Sequence, residues 1–302
     1  MPFAGGDQQH LAGADLAGAD AVVDMEAARG DDQRHRNRVA VLRHVLARGQ
    51  AQADNARRPG VRDLPEAEGA WLVACVGSRH VKIIRATGID GAMQARGTVV
   101  VIDVLRSFTV SAYALAGGAR ECRLVRTVAE ARALAARTAG AVICAEEDAL
   151  PVEGIPISNS PTTIREIDLE GRILIQRSTA GTQVAAAAKG DDIFAASLVV
   201  ARATVQACLL RNPARVTLIA SADHPEDHAC AHYLEALLRG EQPNLEQLLL
   251  PLRESERYRR AMSGAWPGFP STDLGLSLDA NRFDFAMPVT PQPGYMRLTA
   301  SS

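Results

Sequence analysis

Four β-branched apolar residues in a row, Val99, Val100, Val101 and Ile102, are the strongest constraint in this chain. A run without polar alternation suits a strand covered on both faces, as in a parallel sheet with helices on each side. From residue 81 onward, short β-rich runs alternate with Ala-rich helical runs, the pattern of repeated βα units. Strands are predicted over residues 81–85, 99–102, 121–125, 141–144, 172–175, 193–196 and 216–220, with a last strand over 282–288. Helices are predicted over 108–116, 128–137, 182–188, 200–210 and 226–238, and Gly117-Gly118 and Gly140 supply stops after the first two. The expected fold class is α/β, a mostly parallel sheet flanked by helices.

The 302 residues, 47% of them hydrophobic, are enough for a substantial core. A net charge of −2 gives no electrostatic footprint for nucleic acid, and 4% aromatic content is too low for a base-stacking surface. The five cysteines, Cys75, Cys122, Cys144, Cys208 and Cys230, are odd in number, scattered and never in C-x-x-C spacing, which argues against a disulfide framework or a thiolate metal cluster. No stretch approaches the roughly 20 apolar residues of a membrane span, and residues 1–30 lack a basic start followed by an apolar run. The expectation is a soluble cytoplasmic protein with neither a nucleic-acid nor a membrane partner. Residues 1–79 offer a basic helix over 34–48 and an apolar run over 71–76, separated by a polar linker over 51–69 that Pro and Gly break up. They are read as an N-terminal appendage, disordered or a mis-called start of translation.

Chemistry collects in four loops, each following a predicted strand, where open α/β sheets bind ligands. A parallel sheet would set all four on one edge. In the first, Arg106 can clamp a phosphate or carboxylate with two parallel bonds, and Asp103 can hold a metal or act as nucleophile or base. An internal Asp103–Arg106 salt bridge is the plain structural alternative. The second loop carries three consecutive acids, Glu146, Glu147 and Asp148. Oxygen ligands of this kind suit Mg²⁺, although an acid run also serves as solvated surface. Further along, Asn159-Ser160-Pro161 fits a helix start with Ser160 as N-cap and Pro161 at the first helical position, a geometry that also aims backbone N–H groups at an anion.

The third loop, Gln176-Arg177-Ser178-Thr179-Ala180-Gly181-Thr182, joins a strand to an Ala-rich helix. Hydroxyls around a glycine at a helix start suit a phosphate cradle, or ordinary capping. In the fourth, Pro225 followed by Glu226 and Asp227 is a good helix opening, and the two acids are also candidates for metal ligation or acid–base work. His228 and His232 lie four apart on one helix face, so a zinc site is conceivable, although the H-E-x-x-H arrangement is absent. Cys230 reads as a small buried residue.

Together, D-V-L-R-S at Asp103 to Ser107, Glu146 with S-N-S-P at Ser158 to Pro161, S-T-A-G-T at Ser178 to Thr182 and E-D-H-A-C-A at Glu226 to Ala231 resemble, in order and context, the 2-phosphosulfolactate phosphatase (ComB-like) family. The resemblance covers about residues 81–289 and implies an α/β phosphatase domain over residues 80–302. It also implies Mg²⁺-dependent hydrolysis of an acidic phosphate monoester, 2-phospho-3-sulfolactate, to sulfolactate and phosphate, on the route to coenzyme M or sulfolactate. The chain departs from the family pattern at Glu147, where an arginine is expected, at Ala180 in place of an amide, at Ser158 and at His232 in place of glycines. Arg177 can return some of the lost positive charge.

Metal-assisted phosphoryl transfer fits these residues. Asp103, Glu146 and Asp227 are the expected metal ligands, and Asp103, Arg106, Glu226 and Asp227 the expected catalytic set. Asn159, Ser160, Arg177, Ser178, Thr179, Gly181 and Thr182 are expected to bind the phosphate. Direct attack by water and prior phosphorylation of Asp103 or Cys230 both stay open, as does a homo-oligomer. Leu105 stands where the D-x-D of haloacid-dehalogenase phosphatases needs its second acid. The alternatives are a non-catalytic module binding an anionic metabolite and a zinc-dependent hydrolase.

Overall fold

The computed structural model of the protein describes residues 81–301. The helix, linker and apolar run expected within residues 34–76, and Cys75, lie outside the described residues. Along the chain run β1 (Lys82–Thr87), α1 (Gly88–Gln94), β2 (Thr98–Ile102), α2 (Ser107–Ala116), β3 (Glu121–Val125), α3 (Val128–Ala136), β4 (Ala141–Glu147), β5 (Leu150–Pro151), α4 (Pro161–Ile164) and β6 (Ile173–Arg177). There follow α5 (Gly181–Ala187), β7 (Asp192–Ala196), a 3-10 turn (Leu198–Val200), α6 (Ala201–Leu210), β8 (Arg215–Ala220) and α7 (Pro225–Leu238). The chain continues through α8 (Leu245–Leu248), α9 (Leu250–Glu254), α10 (Glu256–Met262) and α11 (Thr272–Leu278) to β9 (Met287–Gln292) and β10 (Tyr295–Leu298).

β2 is buried at every position, as its unbroken apolar run requires. Its side chains divide by parity between two apolar clusters, Val99 and Val101 in one, Val100 and Ile102 in the other. The ten-stranded sheet has the order β1-β8-β2-β7-β9-β10-β3-β6-β4-β5. β1, β8, β2 and β7 pair in parallel, and so do β3, β6 and β4. The two parallel sets are joined through antiparallel pairings of the β9–β10 hairpin, which reverses the second set relative to the first.

On a flat sheet that reversal would send the four polar loops to opposite edges, contrary to the single edge expected from the sequence. The sheet instead curls over on itself. Val99 and Val101 share an apolar cluster with Leu124 of β3, Cys144 of β4 and Leu174 of β6, so strands distant in sheet order face one another across one core. α2 and α5 both touch elements of each set and lie in that core. The ends of β2 and β8 thus meet the ends of β4 and β6.

The predicted strands and helices lie within one to three residues of the observed ones, except at the C-terminus. The strand expected over 282–288 is displaced to β9, and β10 was not anticipated. Prolines at 288, 291 and 293 make this segment look broken. Here Pro293-Gly294, with Gly294 at φ +86°, forms the hairpin turn, while Pro288 and Pro291 sit at paired positions. α1 and the short β5 were also not anticipated. Since β10 is the connector between the two strand sets and Leu298 on it is fully buried, Leu298→Ala is expected to lower stability by about 2–5 kcal/mol. Urea denaturation followed by far-ultraviolet circular dichroism measures this; an unchanged midpoint would contradict it.

Candidate active site

β2 and β8 are neighbours, and their C-terminal ends deliver two acids to one place. Asp103 is fixed by its backbone, its N–H bonding Ala196 O at 3.1 Å, and by its carboxylate, whose Oδ1 accepts from Ser107 N at 2.9 Å. Asp227, in the first turn of α7 behind Pro225, accepts from Val104 N through Oδ1 at 2.8 Å and from Ser221 Oγ through Oδ2 at 3.1 Å. The Ser221 hydroxyl favours the ionised form of Asp103 as well as that of Asp227, to which it is bonded. Burial pushes the Asp103 carboxyl up to about 6, and the Glu146 charge adds to the rise against the opposing Ser107 hydrogen bond. Burial, then the charges of Asp103 and Glu226, hold Asp227 well above the usual carboxylate range. Burial outweighs the favourable helix N-terminus here.

The structure brings Arg106 to the site but not as partner of Asp103. Its Nη1 donates to Asp273 Oδ2 at 2.7 Å and to Gly268 O at 2.6 Å, and its guanidinium lies 4.2 Å from the Phe269 ring centre. Nε and Nη2 donate to nothing among the described residues, on a side chain that is only 3% exposed. The Leu105–Arg106 peptide is cis.

The second and third loops lock onto each other. Glu146 accepts from Thr179 N at 2.6 Å and Thr179 Oγ1 at 2.9 Å, and from Ala149 N at 2.7 Å. These bonds make it the anchor of the third loop rather than a free metal ligand. Arg177, expected to bind phosphate, donates to Glu146 O and to Thr179 Oγ1, and pairs with Glu147 at 3.7 Å. It braces the two loops. The expected cradle is largely closed, because Ser178 N donates to Thr182 Oγ1 and Thr182 N to Ser178 Oγ, each at 3.0 Å. Gly181 is required here, since a Cβ would lie 2.6 Å from Asp103 Oδ2. Ser160 caps α4 as expected, accepting from Thr163 N at 3.2 Å with Pro161 next to it. Asn159 Oδ1 accepts from Gln176 Nε2 at 3.1 Å.

Glu226 is fully buried; its Oε1 accepts from Arg257 Nε at 2.6 Å, while Oε2 has no hydrogen-bond partner among the described residues. The two histidines of α7 diverge. His228 bonds Asp223 at 2.7 Å and His232 bonds Arg85 at 2.8 Å. Among the described residues no group of three or more His, Cys, Asp or Glu side chains is placed to hold a metal ion. Burial and the neighbouring Asp227 charge push the Cys230 thiol well up, which removes it as a ready nucleophile. A cavity of about 320 Å³ is lined by Thr87, Gly88, Thr179, Ala180 and Ser221 among others, and Ser221, bonded to Asp227, connects it to the acids.

The sequence places Gln176 in the third loop and Ser221 in the fourth without a role for either, and gives no sign of Arg257 or Asp273. Gln176 is buried and bridges α2 to the second loop, donating to Ser107 O at 2.8 Å and accepting from Ser111 Oγ at 2.6 Å. An amide inside an apolar strand is its one sequence signal. Nothing local marks Arg257 or Asp273, which reach the site from the loosely patterned C-terminal third.

The 2-phosphosulpholactate phosphatase family model matches residues 84–255. The chain is 35% identical over 197 residues to the "probable 2-phosphosulfolactate phosphatase" of Bacillus subtilis (strain 168), covering 63% of this chain and 86% of that protein. Proteins of the same printed name from Carboxydothermus hydrogenoformans and Thermotoga petrophila are 35% and 37% identical, over 49% and 36% of this chain. Those alignments span 63% and 47% of the two proteins, less than two thirds of either.

An aspartate titrates near 3.8 in the unfolded chain, whereas Asp103 titrates at about 6 in the folded protein. The folded state therefore bears a penalty for ionising Asp103 that is full above pH 6 and absent below about pH 4. In metal-free buffer at pH 8, Asp103→Asn is expected to be more stable than the wild type by on the order of 3 kcal/mol, the gain vanishing toward pH 4. Denaturant titrations of both proteins across that range check it; a variant less stable at pH 8 would contradict it.

Proposed function

The chain belongs to the 2-phosphosulfolactate phosphatase family, and from that premise we propose that it hydrolyses a small acidic phosphate monoester of the 2-phospho-3-sulfolactate type to sulfolactate and phosphate in a Mg²⁺-dependent reaction. The observation that carries the reading is the buried Asp103–Asp227 pair, with Ser221 bonded to Asp227 and lining a cavity. Two acids raised by burial and by neighbouring carboxylates, Glu146 for Asp103 and Asp103 and Glu226 for Asp227, suit proton transfer near neutral pH.

The residues also fit a divalent cation. Asp103, Asp227 and Glu226, whose Oε2 has no hydrogen-bond partner among the described residues, gather three carboxyls below the surface, and Arg257 pairs with Glu226. Mg²⁺ commonly takes one or two carboxylates and fills its remaining positions with water and phosphate oxygens. Asp103 and Asp227 would hold it, with Glu146 fixing the adjoining loop. Bound there, it would neutralise phosphate charge.

The protein's own groups do the rest. The Nε–Nη2 edge of Arg106 binds two phosphate oxygens side by side. Asp103 takes a proton from the attacking water as its oxygen bonds to phosphorus. The ester P–O bond breaks, and the proton that Asp103 took from the water passes through solvent to the departing alkoxide, which becomes the hydroxyl of sulfolactate as Asp103 is restored to its ionised form. The third loop, held by Glu146, walls the cavity and keeps the acids dry, which strengthens each charge interaction.

Purified protein assayed against a panel of phosphate monoesters with and without Mg²⁺ tests this. Mg²⁺-dependent phosphate release is expected, highest on esters carrying a second acidic group. Asp103→Asn should lower kcat/KM by about 10²–10³-fold, and Arg106→Lys, which keeps the charge opposite Asp273, by a comparable factor. Metal-independent binding of an anionic ester with no phosphate release would favour the binding module instead.

A further inference from the structure

We propose that Asp273 is a positioning residue for phosphate transfer, fixing Arg106 of the first loop against the helix start of the second. The inference rests on the phosphatase reading above. Asp273 is completely buried in α11 and lies outside the span matched by the family model. Its Oδ2 accepts from Arg106 Nη1 at 2.7 Å, and its Oδ1 accepts from Ser160 Oγ at 2.8 Å and Thr162 N at 3.0 Å. Ser160 Oγ already accepts from Thr163 N, so its hydroxyl hydrogen is free to go to Asp273. Three donors thus converge on two oxygens, a demand that a carboxylate meets and an amide, with one acceptor, does not.

The same strap holds Arg106 from two other sides. Gly268 O accepts from Nη1, and Phe269 lies under the guanidinium plane. Gly268 has φ +67°, and a Cβ there would lie 2.6 Å from Pro151 Cγ, so the strap needs glycine to approach this closely. With Nη1 and the ring face occupied, the Nε–Nη2 edge is the one left for a phosphate. A buried ion pair is weak evidence for stability by itself. Here the pair also decides which edge of the arginine is presented.

The test is a double-mutant cycle in kcat on the best ester, with Asp273→Asn, Arg106→Lys and the double variant, alongside thermal melts. Asp273→Asn is expected to lower kcat about 100-fold per folded molecule, with KM changed less than threefold, because a misplaced clamp costs rate. In the Arg106→Lys background the same change should cost less than threefold, since the residue acts through Arg106. Should Asp273→Asn not fold, Asp273→Glu keeps the buried charge and serves in the same cycle. Unchanged kcat, or fully additive losses, would overturn the positioning role while leaving the phosphatase reading intact. If the wild type releases no phosphate from any ester, the phosphatase reading fails. The role is then judged from binding of inorganic phosphate, where weakening of tenfold or more in the Asp273 variant supports it. Equal binding, or none by the wild type, overturns it.

Discussion

The hydrogen bond from Val104 N to Asp227 Oδ1, 2.8 Å long, ties the end of β2 to the first turn of the helix that leaves β8. It exists because β2 and β8 are parallel neighbours, with Ile102 opposite Ala220. Side-by-side strands ending at the same level must bring their following loops together, and here both loops begin with an acid or lead to one. The cost is a pair of carboxyls below the surface, which shows in the raised titration of both. A fold selected for stability alone has no use for two such groups, and their burial is what makes the pair suited to chemistry.

Around that pair the remaining charges are arranged in separate compartments. Arg257 neutralises Glu226 and holds Leu105 O at 3.1 Å, while Asp273 neutralises Arg106. Both come from the chain after residue 255, beyond the span matched by the family model. Trp266 and Phe269 stack at 4.9 Å between centres, with Arg257 over the one and Arg106 over the other. The C-terminal third is therefore part of the site. It supplies countercharges where the four motif loops contribute mostly acids and hydroxyls.

Much of this was legible from residues alone. The unbroken run Val99 to Ile102 gave a strand buried on both faces, and Ser160-Pro161 and Pro225-Glu226-Asp227 marked helix starts that stand where expected. Asp103 and Asp227 were identified as site residues and do come together. Roles were harder than places. Arg177 and Glu146 carry the charge of ligand-binding groups, yet both are occupied holding two loops together. Their side-chain chemistry is the same in either role, so only the partners distinguish a brace from a ligand. Ser178 and Thr182 likewise satisfy each other's backbone N–H groups in place of a phosphate.

The sequence by itself determined the elements, the four polar loops and the α/β class, because hydrophobic period and helix-start chemistry are local properties. Which loops meet was decided by tertiary structure. The β9–β10 hairpin, concealed by three prolines and a glycine, reverses β3, β6 and β4 relative to the other parallel strands, and the sheet must curl for the loops of β4 and β6 to reach those of β2 and β8. The pairing of Arg106 with Asp273, 167 positions away, follows from that curl and has no local signal. Asp103 and Arg106 are close in sequence and carry opposite charges, yet the folded chain gives each a different partner. Their neighbours in space, set by strand order, outweigh their neighbours along the chain.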